Sequence, residues 1–77
     1  MVIKVMRSDS EWIVECKNYI IEWASSLTDM TLTKETVGRI TILDEYGRST
    51  DNFRWLHKLD HLYIMNDSGK TIDKYTF

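Results

Sequence analysis

Proline is missing from this chain altogether, cysteine occurs once, and glycine only three times in 77 residues. A single cysteine excludes an internal disulfide. A domain of this length that folds without one points to a reducing compartment, so a cytoplasmic location is expected. Glycines scattered at Gly38, Gly47 and Gly69 cannot form a phosphate-cradling loop. No stretch approaches the roughly 18 consecutive apolar residues of a membrane-spanning helix. The opening Met1–Met6 run is too short for a signal-peptide core and has no basic leader, so neither membrane insertion nor a cleaved leader is expected. An excess of positive charge is lacking too. The formal net charge is −2, with four basic and six acidic side chains up to Glu35 and six of each beyond it. That balance argues against the broad basic surface of a duplex-binding protein and leaves room only for a local patch.

What remains is an ordinary globular composition, 43% hydrophobic and 29% charged, which excludes disorder and a coiled coil. With no repeat and no low-complexity linker, one domain spanning residues 1–77 is expected. A domain this small buries only about 60% of its unfolded surface, so each large apolar residue matters.

Periodicity suggests the architecture. At about 100° per residue, Tyr19, Trp12, Trp23, Cys16, Leu27, Ile20, Ile13 and Ala24 share an arc of roughly 140°, which predicts one long amphipathic helix over Ser8–Leu27. Ser8 and Glu11 have the capping-box spacing at its start. Val2–Met6 reads as a first strand, and Thr36–Leu43 as a second, with Gly38 marking a bulge or close approach. Asp44–Gly47 reads as a turn. Ser49–Asp60 is ambiguous between helix and strand, and the alternation around Phe53 and Trp55 favours a strand to about Leu56. Leu62–Met65 and Thr71–Phe77 flank Asn66–Lys70 as a closing hairpin. The expected fold is therefore α+β, in two layers: the long helix packed on a mainly antiparallel sheet of four or five strands. Ile3, Val5, Ile40, Ile42, Leu62, Ile64 and Ile72 should face it, together with Trp12, Cys16, Ile20 and Trp23 from the helix.

Chemistry is thinly represented. His57 and His61 could share a zinc ion only if their segment were helical; in a strand they lie about 13 Å apart, so neither metal nor other cofactor is expected. Cys16, on the predicted core face, reads as a packing residue and not as a nucleophile. The carboxylates mark turns and strand ends, and a domain this small has little room for a desolvated catalytic cleft. An enzyme is not expected.

Two surfaces stand out instead. On the back of the predicted helix, Glu11, Glu15 and Glu22 form an acidic stripe beside Val14 and Ile21, with Asn18 in the same row. Two β-branched apolar residues outside the core arc suit contact with another protein, with a second copy of this chain, or with the connection from Thr28 to Lys34 folding back on them. The resulting expectation is a small protein-binding module, a regulator or inhibitor of a larger protein, of the kind found among bacterial and phage accessory proteins. The alternative is single-stranded nucleic-acid binding by an aromatic and basic sheet face, with Arg54, Trp55 and Lys58 as its candidate residues.

Overall fold

A computed structural model describes residues 1–27 and 32–77. Among them run seven strands: β1 (Val2–Arg7), β2 (Ser10–Glu15), β3 (Asn18–Trp23), β4 (Thr36–Leu43), β5 (Ser49–His57), β6 (His61–Met65) and β7 (Thr71–Thr76). The only helical piece among the described residues is a 3-10 turn at Ala24–Ser26. Every pairing is antiparallel. The strands form a four-stranded sheet ordered β2-β1-β6-β7 and a three-stranded sheet ordered β3-β4-β5. Of the polar connection expected from Thr28 to Glu35, residues 28–31 lie outside the described residues.

The expected α+β fold is thus overturned: the Ser8–Leu27 helix does not exist, and its residues form β2, β3 and the 3-10 turn. The physical reason lies in the spacing. Trp12 and Val14 turn inward on β2, then Tyr19 and Ile21 on β3, and all four pack against the core. Each run has period two and is apolar on both faces, so the helical arc arises by mixing inward Trp12, Cys16 and Tyr19 with outward Ile13 and Ile20, while it leaves out Val14 and Ile21, which point inward. Local propensity agrees with strands, since Trp12, Ile13, Val14, Tyr19, Ile20 and Ile21 are all β-branched or aromatic. Ser8 and Asp9 form the tight connection of the β1–β2 hairpin, where Arg7 pairs with Ser10, instead of capping a helix. Ile13 and Ile20, expected in the core, are 54% and 44% exposed, and Ile72 is 58% exposed on β7. The strands expected beyond Gly38 and at the start of the chain are present close to the positions read from the sequence.

The inner faces of the two sheets meet in one cluster: Ile3, Val5, Leu62 and Ile64 from the larger sheet, and Ile40, Ile42 and Leu56 from the smaller. Burying each such side chain contributes about 2 kcal/mol relative to leaving it in water. At Gly38 the strands come unusually close: a Cβ built there would lie 2.6 Å from the Glu22 carbonyl oxygen.

One charged residue joins this interior. Asp60 is fully buried at the end of the short connection from β5 to β6. Its carboxylate accepts from Arg7 Nε (3.0 Å) and Arg7 Nη2 (2.9 Å), and from the His57 N–H (2.8 Å). Arg7 Nη2 also donates to the Trp55 carbonyl at 3.0 Å. The Arg7 guanidinium, from the larger sheet, therefore clamps the end of β5 in the smaller one. Burial alone pushes the Asp60 carboxyl up. The Arg7 hydrogen bonds and charge and the His57 N–H together outweigh it and hold the group below its ordinary value.

Two predictions follow from these contacts. Gly38→Ala must displace backbone on β3, and the expected cost is about 1–3 kcal/mol by thermal or urea unfolding; a melting temperature equal to that of the wild type would show that the strands separate freely. Because the Asp60 pKa is depressed on folding, its contribution is present above the ordinary aspartate range near pH 4 and is lost as pH falls through the folded value. Asp60→Asn is expected to lower the melting temperature at neutral pH by roughly 10 °C or more. It should also flatten the decline of stability below about pH 4 relative to wild type. Parallel acid profiles for the two proteins would contradict that assignment.

Candidate functional site

The outer face of the three-stranded sheet is built from two cross-strand rows. Ile20, Thr41 and Phe53 are in register, as are Glu22, Arg39 and Trp55. Arg39 sits centrally: its guanidinium carbon lies 5.7 Å from the Phe53 ring centroid and 5.2 Å from that of Trp55, and the two rings meet edge to face at 5.9 Å. Its Nη2 donates to Glu22 Oε1 at 2.9 Å. Its Nε is covered and has no hydrogen-bond partner among the described residues, a cost that contact with two aromatic faces partly offsets. Ile20 and Phe53 are each 44% exposed. A hollow of about 230 Å³ opens beside them between Glu22, Arg39, Asp51 and Phe53.

The outer face of the four-stranded sheet has a different chemistry. One register row crosses all four strands as Ile13, Lys4, Tyr63 and Lys74. The Lys4 and Lys74 ammonium groups lie 5.7 and 5.4 Å from the Tyr63 ring centroid. His61 stacks on Tyr63 with centroids 6.4 Å apart, and its Nδ1 is 3.1 Å from Thr76 Oγ1. Glu11, on the β2 edge, approaches Lys4 at 3.9 Å.

The residues grouped by the helical reading do not share a surface. Val14 and Ile21 pack against the core. Glu11 and Glu15 lie on the outer side of β2 at the edge of the larger sheet. Asn18 and Glu22 lie on β3 in the smaller sheet, where Asn18 Oδ1 accepts from the Tyr19 N–H at 2.9 Å. The nucleic-acid candidates are also divided. Trp55 faces outward, while Arg54 pairs with buried Ile40 on the inner side and reaches Ser10 Oγ at 3.4 Å. Lys58 lies in the β5–β6 connection. Of these candidates only Glu22 and Trp55 come together, through Arg39. The Phe53–Trp55 alternation was readable in the sequence; that Arg39 completes it depends on strand register, which was not.

Neither histidine nor the cysteine joins a metal-binding group: no cluster of three metal-ligating side chains occurs among the described residues. Cys16, expected within a helix, lies instead in the connection between β2 and β3, where its N–H donates to the Met1 carbonyl at 3.0 Å. No helix of the described residues is long and apolar enough to cross a membrane. The chain matches no family model, no curated protein and no solved structure.

Burial pushes the Cys16 thiol up, against a smaller opposing effect of the nearby amino terminus. At neutral pH the folded protein should therefore alkylate with iodoacetamide more slowly than the urea-unfolded chain. Equal rates, followed by mass spectrometry, would contradict a protected thiol.

Proposed function

We propose that this chain is a small protein-binding module that engages its partner through the outer face of β3, β4 and β5, and that it acts by binding and not by catalysis. The observation that carries the reading is the Glu22–Arg39–Trp55 row. An arginine lies over two aromatic rings with its charge already matched by a carboxylate, next to exposed Ile20 and Phe53. Tryptophan and arginine set among apolar neighbours are the residue types that dominate protein interfaces. The neutralised guanidinium favours a protein over a nucleic acid here, because a phosphate would have to compete with Glu22 and approach Asp51. Such a module works by occupying a partner's surface, as a regulator or inhibitor of a larger protein does. The single cysteine and the absence of any disulfide support a cytoplasmic setting.

Phe53→Ala combined with Trp55→Ala removes both rings from the face without touching the buried cluster. Interface aromatics of this kind are worth about 2 kcal/mol each. In quantitative affinity capture from the source cell, a partner retained by the wild type should be lost by the double variant and kept by a Lys4→Gln control on the opposite face. Identical capture by all three proteins would remove this face from consideration. Sedimentation over a concentration range identifies a second copy as the partner if the wild type self-associates and the double variant does not.

A further inference from the structure

We infer that the outer face of the four-stranded sheet is a second binding surface, and that its ligand is single-stranded nucleic acid. This inference is independent of the protein-binding reading, since the two surfaces face opposite directions and share no residue. It rests on where charge and aromatic area coincide. On the smaller sheet the central cation is neutralised at 2.9 Å by Glu22. On the larger sheet two ammonium groups flank a single phenol ring, and the only carboxylate within 4 Å of either among the described residues is Glu11, 3.9 Å from Lys4. Lys74 has no salt-bridge partner among the described residues.

Beyond His61 lies a hollow of about 350 Å³ bounded by Ser8, Lys58, Leu59, His61 and the Arg7–Asp60 ion pair. Lys58, in the β5–β6 connection, lines that hollow beside His61, and the Lys4–Tyr63–Lys74 row lies on the strands that follow. His61 and Tyr63, two positions apart on β6, provide two stacked rings along the same line. A positive track beside successive aromatic rings on an open sheet is what holds single strands: phosphates are drawn to the cations, and bases stack on the rings regardless of sequence. The acids at the β2 edge, Glu11 and Glu15, bound the track on one side, so a strand would follow β6 and β7. An acidic peptide would meet the same cations but would leave the two rings unused.

Fluorescence anisotropy of the full chain with a short labelled oligothymidylate, at low and at physiological salt, tests this directly. The wild type should bind saturably at low salt. Lys4→Gln with Lys74→Gln should weaken binding about tenfold and reduce the log–log salt slope by about 1.4. Tyr63→Leu should weaken binding about fivefold or more with the slope unchanged. Arg48→Gln, in the β4–β5 turn, should leave binding unchanged. Absence of saturable low-salt binding, an unaltered slope in the lysine variant, or an Arg48→Gln loss equal to that of the lysine pair would each overturn the proposal. Equal competition by inorganic polyphosphate together with an unchanged Tyr63→Leu affinity would overturn it too, by reducing the face to a general anion site. Amide shift mapping on the wild-type protein tests it without any variant. Shifts clustered at Lys58, His61, Tyr63 and Lys74 support it, and shifts clustered on β3–β5 contradict it.

Discussion

The Arg7–Asp60 pair is the contact on which the arrangement of the two sheets depends. Asp60 has no exposed surface, and a buried carboxylate is costly unless every lone pair finds a donor. Here it receives both arms of one guanidinium and a backbone N–H. The connection it ends is tied down on several sides. The Asp60 N–H donates back to the His57 carbonyl, its own carbonyl accepts from the Phe77 N–H, and the Leu59 and Lys58 N–H groups reach the Phe77 and Glu35 carbonyls. Leu59 is held there at φ 73, a left-handed conformation that a branched side chain seldom adopts. The end of β1 and the exit of β5 thus converge on the Asp60 carboxylate, and Phe77 is tied to the same residue through its backbone. A buried ion pair is weak evidence for stability as such; its value here is geometric, because only one placement of Arg7 satisfies both Asp60 and the Trp55 carbonyl.

That constraint matters because the apolar core is thin. Seven aliphatic side chains fill the space between two sheets, and a domain of this size cannot cover both sides of each sheet. Alternation along the strands then has a functional consequence. The buried side chains are aliphatic apart from those of Thr41 and Asp60, and several aromatic rings lie on the outer faces, as those of Phe53 and Trp55 do on β5 and that of Tyr63 does on β6. A second seam, where the Trp23 ring meets Phe77 edge to face at 5.9 Å, joins the sheets through rings that are themselves partly exposed.

The sequence disclosed most of the second half of the fold and little of the first. The strands after Gly38 carry their signals locally: β-branched residues in alternation, and Gly47 and Gly69 at positive φ in the turns, where a side chain would be strained. Ile3, Val5, Ile40, Ile42, Leu62 and Ile64 are buried as their pattern implied. Between Ser8 and Leu27 the residue pattern misleads for a physical reason. The Ser8–Asp9 hairpin has no glycine or asparagine to announce it, and the two-residue step at Cys16–Lys17 shifts the inward phase between strands. Because both strands also carry apolar residues on their outer side, a helical wheel gathers inward Trp12 and Tyr19 with outward Ile13 and Ile20 into one arc and hides the alternation. With the helix went the proposed row of Val14 and Ile21, whose burial needs only ordinary strand packing. Leu56 and Asp60 were overlooked in the core because their segment was ambiguous and because a lone aspartate near a turn resembles a solvated one until its arginine is located.

Register supplies what composition could not. Arg39 and Lys74 are both single cations in strands rich in β-branched residues, and nothing nearby in the sequence distinguishes them. Pairing sets Arg39 opposite Glu22 and Trp55, while Lys74 lies opposite Tyr63, with Lys4 on the far side of the same ring. One cation is therefore discharged within its own sheet and the other is left facing outward. The near-neutral sequence thus folds into two outer faces of unlike character, one apolar with its charge satisfied and one carrying unmatched positive charge beside aromatic rings. The first suits the dry centre of a protein interface, where unpaired charge is penalised; the second suits a solvated polyanion, whose released counterions drive binding.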